Sequence, residues 1–149
     1  MSVEYKTVKI VSLKMVREKT VRYRSVTGKH SVIDIIKPIL KNSATEKFAV
    51  VGLDSNNVPT IMKIWDGCAN QCAAYPSTIF RCLLLSNSSS FIIVHNHPGG
   101  SMFPSHADWE ITRRLKQIGT TMEIALLDHV IVNGDCSDLI SLRETAEWN

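Results

Sequence analysis

Apolar positions along this chain switch between two spacings, and the switches mark its elements. Behind Ser31, which reads as an N-cap, Val32, Ile35, Ile36 and Ile39 recur on one helical face, with Pro38 limiting or kinking the helix. Lys47–Leu53 is then a continuous apolar run, Asp54-Ser55-Asn56-Asn57 a turn, and Val58–Trp65 a second run, which together predict a hairpin. From Tyr75 to Leu85 the helical period returns, with Pro76 in the first turn and Ile79, Cys82 and Leu83 facing inward. Ser86-Asn87-Ser88-Ser89-Ser90 reads as a loop and Phe91–His95 as a short, fully buried strand. Trp109–Gly119 reads as a helix with Ile111, Leu115 and Ile118 inside and Gly119 as its C-cap. Glu123–Val132 is a last strand, closed by Asn133-Gly134. The leading stretch, from Val8 through Val16 to Val26, is β-branched and basic, and reads as a strand or arm. Strands and helices alternate around one core, which predicts an α/β fold.

Composition narrows the class. The chain has 149 residues, 44% of them hydrophobic and 21% charged, which excludes disordered, collagen-like and coiled-coil proteins. The longest apolar runs, such as Phe91–Val94 and Val130–Val132, fall far short of the ~18 residues that a membrane helix needs. Lys6, Lys9 and Lys14 interrupt any apolar region that could act as a signal peptide. A soluble cytoplasmic protein with no membrane partner is the expectation. Charge is unevenly spread: residues 1–45 hold 10 Lys/Arg against 3 Asp/Glu, and residues 46–149 hold 7 against 11. A solvated face explains the basic segment best, because it lacks the run of ~5–6 like charges of a binding tail; weak nucleic-acid contact through residues 1–45 is the alternative. Cys68, Cys72, Cys82 and Cys136 form no C-x-x-C pair, so neither disulfides nor a cysteine metal site is favoured over buried thiols.

The chemistry concentrates in His95-Asn96-His97-Pro98-Gly99-Gly100 and the following Ser105-His106-Ala107-Asp108. In extended backbone, side chains at i and i+2 share a face, so His95 and His97 present two imidazoles to one point. Catalytic zinc sites take three protein ligands, commonly His and carboxylate, and leave a position open. A Gly-rich turn would bring Asp108 back from the first turn of the next helix as the third. Ser105-x-x-Asp108 is equally a capping box, which explains both residues without a metal. The string His-Asn-His does not indicate a nuclease, since that class disperses its named residues over a ββα unit.

These residues resemble the JAMM (JAB/MPN) metalloprotease motif: His95-x-His97, seven residues, then Ser105-x-x-Asp108, with a Glu on an upstream strand. More closely, the chain resembles RadC-like JAB-domain proteins, through His95-Asn96-His97-Pro98, Pro104-Ser105, Asp108, Thr112-Arg113-Arg114-Leu115 and Leu127-Asp128-His129. The similarity runs from about Glu46 to Leu142. It is to a short form without the helix-hairpin-helix region of longer members, whose place the segment 1–45 takes ahead of a catalytic domain at 46–149. The resemblance implies a cytidine-deaminase-like JAB/MPN fold, a mixed central sheet flanked by helices. It implies Zn²⁺ held by His95, His97 and Asp108, Glu46 as the proton-carrying base, and Ser105 as hydrogen-bond donor to a developing oxyanion. The implied function is zinc-dependent hydrolysis of an amide or isopeptide bond in a peptide or protein-conjugate substrate. The second implied function is a DNA-repair-associated accessory protein that binds nucleic acid without proteolysis. A non-catalytic scaffold is disfavoured by the intact ligand set.

Three departures from the usual RadC pattern fall at the rim: Gly99 after His97-Pro98, Tyr75-Pro76-Ser77 at a helix start, and Cys68. They bear on substrate choice. His129 is assigned a structural role in preference to one behind a metal ligand, and His30 and His106 are assigned to the surface. Trp65, Trp109 and Trp148 are not interleaved with basic clusters, so no base-stacking platform is expected.

Overall fold

The computed structural model describes residues 25–67 and 74–148. One mixed sheet contains β1 (Lys47–Leu53), β2 (Pro59–Asp66), β3 (Ser90–His97), β4 (Ala125–Asn133) and β5 (Leu139–Ser141), in the order β2-β1-β3-β4-β5. Three helices flank it: α1 (Lys29–Leu40), α2 (Pro76–Leu85) and α3 (His106–Thr121). β1 pairs antiparallel with both β2 and β3, β3 and β4 run parallel, and β5 returns antiparallel on β4. A parallel pair needs a crossover, and α3 provides it. This is the α/β arrangement the apolar spacing predicts.

Alternation along the central strands feeds two separate cores. Ala49, Val51, Leu53, Ile92, Val94, Val130 and Val132 pack against Val32, Ile35, Ile36 and Leu40 of α1. Phe48, Val50, Phe91 and Ile93 face the other way, onto Ile79 and Leu83 of α2 and Ile111 and Leu115 of α3. Burial on both faces is why β1 and β3 read as unbroken apolar runs rather than alternating ones. It also fixes register, because a one-residue slip would exchange the two faces. One irregularity interrupts the β3–β4 ladder: Phe91 lies opposite Leu126, but Ile92 lies opposite Asp128, so Leu127 is skipped and His129 falls opposite Ile93.

Several boundaries differ from the sequence expectation, each for a local reason. Ser31 is not the N-cap: α1 begins at Lys29, and the Ser31 hydroxyl, inside the first turn, accepts from the amides of Thr27 (2.9 Å) and Gly28 (3.1 Å). Ser90 belongs to β3 rather than to the preceding loop, and α3 begins three residues before Trp109. β5, of three residues, carries no apolar period that would announce it. Gly119 is not a cap either. The helix continues past it to Thr121, and Glu123 takes the left-handed conformation (φ 56°) that ends it, with the Ile124 amide donating to Gly119 O at 2.9 Å. The basic stretch 1–24, Cys68 and Cys72 lie outside the described residues. Among the described residues no helix is long and apolar enough to cross a membrane.

Gly119 is glycine because α3 passes close to the start of β4: a Cβ there would sit 2.5 Å from the carbonyl oxygen of Ile124. An exposed helical Gly→Ala change normally stabilises by about 1 kcal/mol. Here the clash is with backbone, and Gly119→Ala is expected to destabilise by about 1–3 kcal/mol. Glu123→Gly, by relieving a left-handed residue, is expected to stabilise by about 1 kcal/mol. Denaturant midpoints of the two variants check both signs.

Candidate metal centre

The C-terminal end of β3 carries His95 and His97 on the face toward α3. His95 is fully buried, while the His97 side chain keeps 14% exposure at the mouth. The chain then turns sharply. Gly100, at φ 80°, donates its amide to His97 O at 3.0 Å, a left-handed turn position suited to glycine. The turn leads into α3, whose first turn places Asp108 beside both imidazoles. His95 Nε2 lies 2.8 Å from His97 Nε2 and 3.3 Å from Asp108 Oδ1, and His97 Nε2 lies 3.8 Å from Asp108 Oδ2. Each of these three residues offers a ligand atom within 4.8 Å of the others'. These separations bracket the ~3.3 Å expected between two donors of a tetrahedral cation with ~2.0 Å bonds.

Hydrogen bonds decide which nitrogens face the centre. His97 Nδ1 lies 2.6 Å from the carbonyl oxygen of Ser101, which can only accept, so the proton is on Nδ1 and the lone pair on Nε2. For His95 the same conclusion comes through a relay. The Thr112 hydroxyl donates to Asp108 O (2.5 Å), so it accepts from His129 Nδ1–H (2.6 Å). Neutral His129 then offers its Nε2 lone pair, and His95 Nδ1–H donates to it at 2.8 Å. His95 Nε2 is left with a lone pair aimed at that of His97. Two lone pairs facing each other at this distance repel unless a cation lies beside them, and the adjacent carboxylate adds negative charge to the same point. The donor set fits a divalent metal ion.

The cap and the ligand geometry coexist at Asp108. Its Oδ2 accepts from the Ser105 amide and hydroxyl, both at 2.7 Å, while the Ser105 hydroxyl accepts from the Asp108 amide at 3.1 Å. Oδ1 remains to face His95. Burial acts against this charge, but the His95 imidazole, when it is protonated in the absence of a cation, and the two donors of Ser105 outweigh it and hold the carboxyl well below the usual range. Glu46 is not part of the close three-residue group. It immediately precedes β1, and because Phe48 pairs with His95, extending that register by two positions sets Glu46 across from His97 on the same sheet face.

His129 differs from the purely structural role expected of it. Wholly buried, it links His95 to Thr112, and desolvation keeps it neutral by pushing its pKa well below 6.5. One signal was present in the sequence, Thr112 lying one helical turn after Asp108; the pairing that brings the imidazole beside β3 is visible only in the fold. Its neighbour Asp128 points to the opposite face, where it accepts from the Ser141 hydroxyl (2.7 Å) and the Arg143 amide (3.2 Å). Burial pushes the Asp128 carboxyl up despite those bonds. His30 and His106 are exposed, as expected.

A family model described as the RadC-like JAB domain matches residues 26–147, so the similarity takes in α1 as well as the stretch from Glu46 to Leu142. A UPF0758 protein of Thermosynechococcus vestitus is 38% identical over 141 residues, covering 85% of this chain and 53% of that protein. A UPF0758 protein of Finegoldia magna is 35% identical over 121 residues, covering 80% and 53%. One from Latilactobacillus sakei is 30% identical over 144 residues, covering 96% and 63%. The chain spans about half the length of the first two relatives, and none of these names states an activity.

Two outcomes are expected from the relay. Thr112→Val, nearly isosteric, strands His129 Nδ1–H and frees the imidazole to change tautomer. Zn²⁺ affinity should fall about tenfold, measured by chelator competition. In metal-free protein, His129 takes up a proton more readily unfolded than folded. The unfolded state therefore binds more protons below pH 6.5, and stability drops as pH falls through that value, by up to about 1.4 kcal/mol per pH unit. Denaturation of wild type and His129→Gln between pH 7.5 and 5 should show this part of the slope only in wild type.

Proposed function

Because this chain belongs to the RadC-like JAB-domain family, we propose that it is a zinc-dependent hydrolase of amide or isopeptide bonds. The observation that carries this reading is the approach of the two Nε2 atoms to 2.8 Å beside the Asp108 carboxylate. Two imidazoles and a carboxylate are the donor set of a catalytic zinc site with an open position, and the harder oxygen-only sites of Mg²⁺ or Ca²⁺ are a poorer match. Zn²⁺ at that point supplies Lewis acidity toward an amide carbonyl and makes water a nucleophile near neutral pH.

The remaining work falls to this chain's own groups. Glu46, across from His97 and half-buried, takes the proton from the attacking water and returns it to the leaving amine. Ser105 is exposed at the start of α3, and its hydroxyl turns from Asp108 to donate to the developing oxyanion, a contribution of about 3 kcal/mol in comparable sites. Burial of His95 and the 14% exposure of His97 leave one open side, where a peptide or protein-conjugate substrate enters.

Metal analysis of the purified protein is expected to find about one zinc per chain, lost in His97→Ala with the fold retained, as judged by circular dichroism. A folded wild type that neither carries nor binds zinc would remove the assignment. Glu46→Gln is expected to keep one zinc at saturating metal and to lose about 10²–10⁴-fold in kcat on a cleavable peptide. Loss of zinc loading in that variant would instead make Glu46 a ligand.

A further inference from the structure

The β1–β3 ladder ends two residues short of Glu46. Main-chain pairing stops at Phe48 and His95, and the next position across from Lys47 is Asn96, between the two imidazoles on the opposite face of β3. There a side chain replaces the backbone. Asn96 is wholly buried; its Oδ1 accepts from the Lys47 amide at 2.7 Å, and its Nδ2 donates to the carbonyl oxygen of Thr45 at 3.2 Å. The two partners fix the orientation of the carboxamide, since an amide N–H must meet the oxygen and a carbonyl must meet the NH₂. One planar group thus grips the peptide on each side of Glu46. The Glu46 carbonyl itself accepts from the Gly67 amide at 2.8 Å, which ties the same residue to the end of β2. With its own carbonyl, the Thr45 carbonyl and the Lys47 amide held, the peptide planes on both sides of Glu46 are fixed and its side chain is left to turn.

We propose that Asn96 is a positioning residue for Glu46: its carboxamide clamps Thr45 and Lys47 and so holds the Glu46 carboxylate against the cation site that His95 and His97 form on the other face of the same strand. Two imidazoles and the clamp come from three consecutive residues, so the metal donors and the base share one rigid reference. The inference rests on reading Glu46 as the base beside the metal.

A double-mutant cycle on Zn²⁺ affinity, measured by chelator competition, tests it without a substrate. Glu46→Gln removes a negative charge near the cation and is expected to weaken binding about tenfold. Asn96→Ala, acting through the same carboxylate, is expected to weaken it by a similar factor and to speed hydrogen exchange of the Lys47 amide. The double variant is expected to bind no more weakly than the weaker single one. If Glu46→Gln weakens binding while Asn96→Ala does not, or if the two losses multiply, Asn96 does not act through Glu46 and the proposal fails alone. An unchanged affinity in Glu46→Gln would show that the carboxylate is not beside the cation, and would overturn both the reading of Glu46 and this inference. Should Asn96→Ala not fold, Asn96→Ser takes its place in the cycle with the same outcomes.

Discussion

Two imidazole lone pairs held face to face are the constraint around which this molecule is arranged. Left to themselves, His95 and His97 would turn apart or share a proton. They are prevented by groups outside the pair: the Ser101 carbonyl fixes one ring, and the chain through His129 and Thr112 to the Asp108 carbonyl fixes the other. Such a chain is costly to leave half satisfied and rigid when complete. Its last acceptor is the main chain of the residue whose carboxylate faces His95. The group of three therefore closes on itself: moving α3 would disturb the carboxylate and the tautomer of His95 together.

The sheet supplies the rigidity this needs. β3 lies between β1 and β4, with an apolar layer on each side, so its end can tolerate polar groups that the layers hold in place. Antiparallel pairing with β1 brings Glu46 near from one direction, while parallel pairing with β4 brings His129 from the other. Only a mixed sheet brings the beginning of one neighbour and the interior of another to the same strand end, because the neighbours run in opposite directions along β3.

Much of this was legible in the residues. The i, i+2 spacing of His95 and His97 placed both rings on one face, the Gly-rich turn returned Asp108, and the run Lys47–Leu53 gave β1 to the residue. The roles proposed for Glu46 and Ser105 come from resemblance to the family; spacing alone would leave the two as a surface charge and a cap. What escaped was long-range. Ser31 has every local mark of an N-cap, but its hydroxyl can close the turn from within the helix. Gly119 looks like a terminator because the reason for its missing Cβ lies on the following strand. His129 reads as an ordinary core residue until β4 is laid beside β3.

The skipped residue in that last pairing has a consequence of its own. Asp128 and His129 are adjacent, yet one ties down the C-terminal turn on the α1 side and the other buttresses His95 on the α3 side. Each reaches its proper layer because Leu127 is accommodated as an extra residue in β4. Were Leu127 paired with Ile92 instead of skipped, every chemically active side chain would remain in the sequence, but the parity of the strand beneath two of them would change, Asp128 falling opposite Ile93 and His129 opposite Val94. A carboxylate would be directed toward the imidazoles and the buttressing histidine toward the aliphatic layer. Relatives of this chain are therefore better compared by their reading frame in this strand than by a count of shared active residues: losing the irregularity while keeping its residue would disable the centre and preserve its whole vocabulary, whereas losing the aliphatic together with the irregularity would leave both side chains on their faces.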